Sequence, residues 1–384
     1  MHSGIAKNDS EYLKEFQWEL SNILPLFHDL ITLLQNSAEF TSENPSINCI
    51  SHSLLPFTLH FLIPMSIIIT NKIGIPKLFW RLNLYNGLVS CTVKKKYLPK
   101  NTGIMVYFLN DVEHKYIVMN LRPKIRANPV PEELRGWNWH SPPLKPYYDV
   151  KLPMYLVCSS YCKTARDVYL TMVEGKKGEE DFNISLGKAV HEAIAGAIRE
   201  AKKLNFDAEP PEQENETIQC AVNLVWDYTI SACKSSFLKA KAEQPYASEE
   251  DVIATSIPFL VEHRMDGTLL GCSGIIAVDC YNYLRNIVFD VKLSSSKNMR
   301  LYTTGYALVI ESLYEIPVDI GCTVSVSFKK DRLALSKDIY YIDANLRNWW
   351  IEERDKKAEI VYNQVDPGKP DECNPKCMFR SICL

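Results

Sequence analysis

Apolar and polar residues alternate along this chain in two rhythms, and the changes of rhythm locate its elements. From Ile184 to Leu204, Leu186, Val190, Ala193, Ala197 and Ala201 repeat at helical spacing, which predicts an amphipathic helix. Lys202 and Lys203 fall in its last turn, where cations are favoured. An acidic, proline-broken loop follows (Asp207 to Gln213), then a second helix from Glu216 to about Ala242. Strand patterns come next: Ile257 to His263, Gly274 to Asp279, and Ile287 to Leu293. A helix spans about Lys297 to Tyr314, with Tyr302, Tyr306, Val309 and Leu313 on one face. Val318 to Phe328 and Leu333 to Ile342 form a strand pair around the turn Lys329 to Arg332, and a last helix runs from Ala344 to near Asn363, stopped before Pro367. This order predicts an α/β fold with a mixed central sheet flanked by helices.

The rest of the chain has a different texture. Residues 1–118 carry Ser/Asn-rich stretches and isolated apolar runs, and they are set apart as an N-terminal extension. They read either as an accessory region or as an over-extended reading frame with its natural start at Met119. The run Ser53 to Thr70 has nearly the length of a membrane span, but Pro56, His60 and Pro64 interrupt it and no membrane role is expected. Residues 119–183 hold a Pro/aromatic-rich arm, residues 184–343 the core, and residues 344–384 a helix and a cysteine tail. In the arm, Trp137, Trp139, Tyr147 and Tyr148 are expected to staple the chain to the body, with base stacking as the alternative. A helix starting near Ser159 should carry Cys162 in its first turn, where backbone N–H groups favour a thiolate.

A net charge of −3 excludes a whole-protein basic footprint for nucleic acid, so such contact needs a local basic path or bound metal ions. Twelve cysteines in a chain with no signal peptide do not form a disulfide framework and point to a reducing cytoplasm. Cys220, Cys233, Cys272, Cys280 and Cys322 stand singly among apolar residues and read as small buried hydrophobes. Cys373, Cys377 and Cys383 crowd into the tail, spaced C-x3-C-x5-C. Zinc sites usually offer two close pairs, so one distant cysteine plus this tail fits an iron–sulfur clip better. Cys158 competes with Cys162 as the fourth thiol, and Cys162 is favoured because it leads straight into the Arg166 helix.

Period-two alternation places Asp290 and Lys292 together on one face of their strand. Asp279 closes the preceding strand, and the short turn Cys280 to Asn286 brings it beside Asp290. Two close carboxylates repel unless a cation lies between them, and oxygen-rich sites suit Mg²⁺ or Mn²⁺. His191, one turn after Gly187, is a further ligand candidate, and Lys292 can neutralise an anionic transition state. A D-x-K triplet alone is usually a solvated face, and a lone helical histidine is usually a satisfied core residue. The ordered set of helix with G-x-x-x-H, strand with Asp, and strand with D-x-K is what carries weight.

That set, with the arm Pro131 to Trp139 and His140 to Pro153, Tyr161-Cys162 with Arg166 to Leu170, Gly305 to Ser312 and the cysteine tail, resembles the PD-(D/E)XK nucleases. Within them it is similar to the RecB-like branch with a C-terminal iron–sulfur cluster, and more narrowly to the CRISPR-associated exonucleases of archaeal type I-A systems. The resemblance runs from about Val130 to the C-terminus. It implies a restriction-endonuclease-like core and a [4Fe–4S] cluster on Cys162, Cys373, Cys377 and Cys383. It implies a metal site on His191, Asp279, Asp290 and the Val291 carbonyl, with Lys292 catalytic and Tyr302 and Tyr306 toward substrate. It further implies trimming of single-stranded DNA from the 5′ side, using Mg²⁺ or Mn²⁺, to prepare new spacers beside CRISPR integrase proteins. Two departures stand out: Asp290 where many relatives carry Glu, and Tyr302 where a Gln often precedes the tyrosine by four. The contrasting readings are a non-catalytic module that holds DNA ends or an integrase partner, and a zinc-stapled structural protein.

Overall fold

The computed structural model describes residues 106–293, 298–329, 332–374 and 377–383. The apolar run Ser53 to Thr70 lies outside them. Among the described residues, no helix is long and apolar enough to cross a membrane.

The helices are α1 (Asp111–Tyr116), α2 (Arg122–Ala127), α3 (Met154–Cys158), α4 (Arg166–Met172), α5 (Phe182–Lys202), α6 (Glu216–Glu243) and α7 (Glu249–Ser256). Strands β1 (Phe259–Met265), β2 (Ile276–Asn282) and β3 (Ile287–Lys292) lead to α8 (Met299–Tyr314). The strands β4 (Ile320–Lys329) and β5 (Arg332–Tyr341) then precede α9 (Ala344–Asn363) and the short α10 (Arg380–Cys383).

The strands form a mixed sheet in the order β1-β2-β3-β4-β5. Neighbours are antiparallel except β3 and β4, which run parallel from Ile287↔Ile320 to Lys292↔Ser325. A parallel pair needs a long crossover, and α8 supplies it. Residues 287–291 of β3 are buried, so its two faces are both covered, as befits the central strand. The expected mixed α/β architecture is thus present.

Several details depart from the sequence expectations. Asp279 does not close its strand: β2 continues to Asn282, and the turn is shorter than predicted. The helix expected near Ser159 starts at Arg166, so Cys162 lies in the turn between α3 and α4. Position 119 falls inside a continuous helical run, in which the π-turn Ile117–Leu121 joins α1 to α2. Val106, Tyr107 and Ile117 belong to the main core, so the folded unit includes residues assigned to the extension. Helix α7, capped by Ser248 and opened by Glu249, Glu250 and Asp251, follows the usual acidic-start pattern but was not anticipated.

The arm is held only in part as expected: Tyr148 packs on the main core. Tyr147 is 81% exposed, and Trp139 is also at the surface. The buried anchors are Leu134, Leu144 and Leu152, joined by Arg135. Arg135 donates to Glu311 at 2.9 Å and to Asp319 at 2.7 Å. Gly136 abuts α8 so closely that a Cβ there would lie 2.1 Å from the Leu308 carbonyl oxygen. Its N–H donates to Glu311 at 2.8 Å.

Glu311 is the fully buried hub of this contact, accepting from Arg347 at 2.7 and 2.9 Å and from the Val318 N–H at 2.9 Å. Burial pushes its carboxyl up, but the Arg347 charge and these hydrogen bonds hold it below its ordinary value. Replacing Glu311 with Ala leaves two buried arginines sharing Asp319 as their remaining carboxylate and strands the Gly136 and Val318 N–H groups, and is expected to cost about 3–5 kcal/mol. Urea denaturation measures this. The exposed pair Lys163–Glu372 is the comparison, because Lys163→Ala should leave the midpoint unchanged.

Candidate metal centre and cysteine clip

Four elements deliver the candidate site, helix α5 and strands β1, β2 and β3. Helix α5 begins two residues earlier than predicted because Asp181 accepts from the Ile184 N–H at 2.9 Å. Its buried side is rich in alanine, which lets α6 pack closely, and His191 projects from a partly exposed position. His191 Nδ1 lies 3.4 Å from Asp279 Oδ1 on β2 and 4.0 Å from Glu262 Oε1 on β1. One ligand atom from each of these three side chains falls within 4.8 Å of the others, the only such converging group of three among the described residues.

Glu262 was missed by sequence reasoning. Its position is special in two ways. It adopts φ +47° in the middle of a strand. The β1–β2 ladder pairs Val261 with Cys280 and His263 with Val278 but skips the Glu262 and Asp279 step between them. The two carboxylates thus sit at opposed positions where backbone pairing lapses.

Asp279 also organises the neighbouring strand. The β2–β3 ladder ends at Cys280↔Phe289, and the next step would pair Asp279 with Asp290. There the Asp279 carboxylate itself accepts the Val291 N–H, at 2.7 Å. Asp290 is fully buried, with Oδ1 receiving Lys292 Nζ at 2.8 Å and Oδ2 lacking any hydrogen-bond partner. It stands outside the 4.8 Å group of His191, Glu262 and Asp279. Lys292 lies 4.1 Å above the Tyr302 ring.

The electrostatics follow from burial set against partners. Burial lowers the His191 pKa, but the Asp279 charge and hydrogen bond raise it to about 9. Burial raises Asp279, and His191 outweighs it, so that carboxyl ends below its ordinary range. Asp290 goes the other way: burial pushes it up to about 7, with Lys292 opposing and Asp279 adding to the rise. Burial works against the Lys292 ammonium, and Asp290 and Asp279 more than offset it. Glu262 is raised by burial and by Asp279, against His191, Arg199 and Arg264.

An orphaned, buried carboxylate oxygen beside a histidine and two further carboxylates is the donor set of a hard divalent cation. His191, Glu262, Asp279 and Asp290 could hold one. Gly187, one turn before His191, leaves the approach open: a Cβ there would meet only Leu293, at 3.9 Å. Two clefts of about 410 and 610 Å³ lie elsewhere, one beside Lys124 and Arg300 and one beside Glu209 and Asp227. Neither includes these residues.

Of the two tyrosines expected to face substrate, Tyr306 is only 7% exposed and belongs to the core, while Tyr302 lies beneath Lys292.

The tail returns to the segment around Cys162. Arg166 grips Asp366 through Nε at 2.9 Å and Nη2 at 2.8 Å, and Thr164 donates to the Gly368 carbonyl at 2.8 Å. The Glu179 N–H reaches the Met378 carbonyl at 2.9 Å, and Phe379 and Cys383 pack on Leu170. Arg166 Nη1 lies 3.6 Å from Cys383 Sγ. The Cys377 thiol is pushed up by burial and then by its neighbours Cys373 and Cys162. Cys158 lies elsewhere. It is buried in the main core, where Lys357 and Lys292 act on its thiol after burial has raised it.

The raised His191 value has a measurable consequence for the metal-free protein. Its folded pKa exceeds the ordinary 6.5, so its contribution to stability is complete below pH 6.5 and is lost as the pH climbs through about 9. His191→Gln should remove that alkaline loss, as read from denaturation midpoints between pH 6 and 10 in chelator.

A family model described as CRISPR-associated exonuclease Csa1 matches residues 105–384, which include the candidate metal centre and the cysteine tail up to its end. The CRISPR-associated exonuclease Csa1 of Saccharolobus solfataricus is 28% identical over 288 residues, covering 70% of this chain and 97% of that protein. The protein of the same name from Thermoproteus tenax is 25% identical over 268 residues, covering 68% and 95%. The chain therefore belongs to the Csa1 family of CRISPR-associated exonucleases.

Proposed function

We propose that this chain is a cytoplasmic, metal-dependent exonuclease of the PD-(D/E)XK type that digests single-stranded DNA from the 5′ end. It acts beside CRISPR integrase proteins to trim new spacer DNA. The convergence of His191, Glu262 and Asp279 next to the Asp290–Lys292 pair carries this reading.

The residues that would hold the divalent ion, Mg²⁺ or Mn²⁺, are His191, Asp279, Asp290 and the Val291 carbonyl, joined by Glu262. A bound ion supplies Lewis-acid polarisation of the phosphodiester and a water of lowered pKa. The protein residues do the rest. Asp279, kept ionised by His191 and tied to the Val291 amide, is a fixed negative anchor. Asp290 keeps one buried oxygen without a partner, free to accept. Lys292 stays protonated, propped by Asp290 and the Tyr302 face, and is poised to neutralise charge growing on the phosphate oxygens. Gly187 gives the DNA backbone room to reach them.

The cysteine clip fits a [4Fe–4S] cluster on Cys162, Cys373, Cys377 and Cys383. One distant cysteine joined to a C-x3-C-x5-C tail supports this reading over zinc, whose sites usually offer two close pairs. Its role here is to lock the tail to the turn before α4.

Anaerobically purified protein is expected to be brown, with a broad absorbance near about 400 nm that Cys373→Ala removes. Colourless protein with one zinc per chain would refute the cluster. A 5′-labelled single strand should be degraded with Mn²⁺ and left whole in chelator. Asp290→Ala and Lys292→Ala should each lower the rate by about 10³-fold or more while keeping the fold. Full activity in both variants would show that the chemistry lies elsewhere.

A further inference from the structure

The segment between α3 and α4 does more than carry Cys162. It presents Tyr161, whose side chain is 53% exposed. Its backbone is held from both sides. Upstream, Lys357 of α9 donates to the carbonyls of Val157 at 2.7 Å and Ser159 at 2.8 Å, and Ser159 Oγ bonds Asp167 at 3.2 Å. Downstream, Thr164 and Arg166 are tied to Gly368 and Asp366 of the tail.

The turn follows α3, whose Met154 lies against Gly305, one helical turn from Tyr302. Helix α3 packs against α8, the helix that bears Tyr302. Tyr302 supports Lys292, and Tyr161 is near enough to contribute, after burial, to the raised pKa of the Tyr302 phenol. The two aromatics expected to meet substrate are engaged within the protein, whereas Tyr161 offers an exposed ring on the braced turn.

We propose that Tyr161 is a substrate-binding residue: its ring is a stacking platform for a nucleobase of the single strand, next to the bond being cut. This deepens the single-stranded DNA reading and rests on it. An exposed ring on a braced backbone loses little freedom on binding, and every base offers a π-face. Stacking is therefore indifferent to sequence, as the trimming of unrelated DNA ends requires. It also gives the cysteine clip a consequence for substrate: the contacts that dock the tail fix the position of the ring.

The test uses the full chain, purified without oxygen, with Mn²⁺ and two labelled single strands, one of thymidine and one of abasic sugar-phosphate. On the thymidine strand, Tyr161→Ala should raise KM by about fivefold or more, with kcat little changed. Tyr161→Phe keeps the ring and should match the wild type. On the abasic strand, wild type and Tyr161→Ala should have the same KM. Equal KM values on the thymidine strand, or an equal loss on both strands, would overturn the platform while leaving the nuclease reading intact. A wild type that leaves single strands whole under these conditions overturns the single-strand reading and the platform with it.

Discussion

Buried cations on one helix hold this protein's irregular parts to its regular ones. The inner face of α9 carries Arg347, Arg354 and Lys357, all fully or nearly fully buried. Irregular backbone can be buried only if its carbonyls find donors. Arg347 serves the carbonyls of Leu134 and Val318, Arg354 those of Leu144 and Leu270, and Lys357 those of Val157 and Ser159. The proline-rich arm, the ends of strands and the turn before Cys162 are thus bound to a single rod. Glu311 balances the first of these cations, and Glu353 pairs with Lys357 at 2.9 Å. Apolar packing alone could not serve this purpose, because the arm and turns offer unpaired acceptors rather than a continuous apolar surface.

The metal centre answers the opposite problem. Three carboxylates, Glu262, Asp279 and Asp290, gather around one imidazole and one ammonium. With all five ionised, negative charge exceeds positive, in a place where burial makes every unpaired charge costly. The protein without metal compensates by holding the His191 proton and by raising Asp290 toward neutrality. A divalent cation relieves the same imbalance without protons. The pKa pattern and the proposed metal site thus rest on one charge arrangement.

Much of this was legible in the sequence where local rules dominate. The final helix runs from Ala344 to Asn363 as read, because Asp343 caps it and Gln364 ends it in a left-handed turn. The D-x-K strand begins at Ile287 as read. The hidden features are those in which a local rule is overridden. Helices α1 and α2 are polar nearly all round, and the π-turn between them shifts the phase of the little apolar periodicity present, so the boundary at residue 118 looked plausible. The inner face of α9 escaped notice because its buried residues are cations, invisible to a search for apolar stripes. The aromatics of the arm looked like anchors, but the anchoring depended on Arg135 meeting Glu311, 176 residues away. The sequence reading favoured Cys162 over Cys158, but the contacts that tie its turn to the tail, Arg166 on Asp366 and Thr164 on Gly368, are products of tertiary docking.

Glu262 shows how local strain can mark a site that pattern cannot. In the run Val261-Glu262-His263-Arg264, three polar residues in succession break the alternation and suggest only a weak, solvated strand. A positive φ at a glutamate is disfavoured and persists only where its surroundings enforce it. Paired steps on either side, Val261↔Cys280 and His263↔Val278, hold the kink in place. The lapse between them coincides with the one step at which β2 offers Asp279. Were the ladder regular there, the strand would be more comfortable, but nothing would turn Glu262 out of the strand's regular geometry toward the imidazole. The β1–β2 ladder thus gives up ideal pairing at a single internal step, and that step is where a third carboxylate joins the charge cluster.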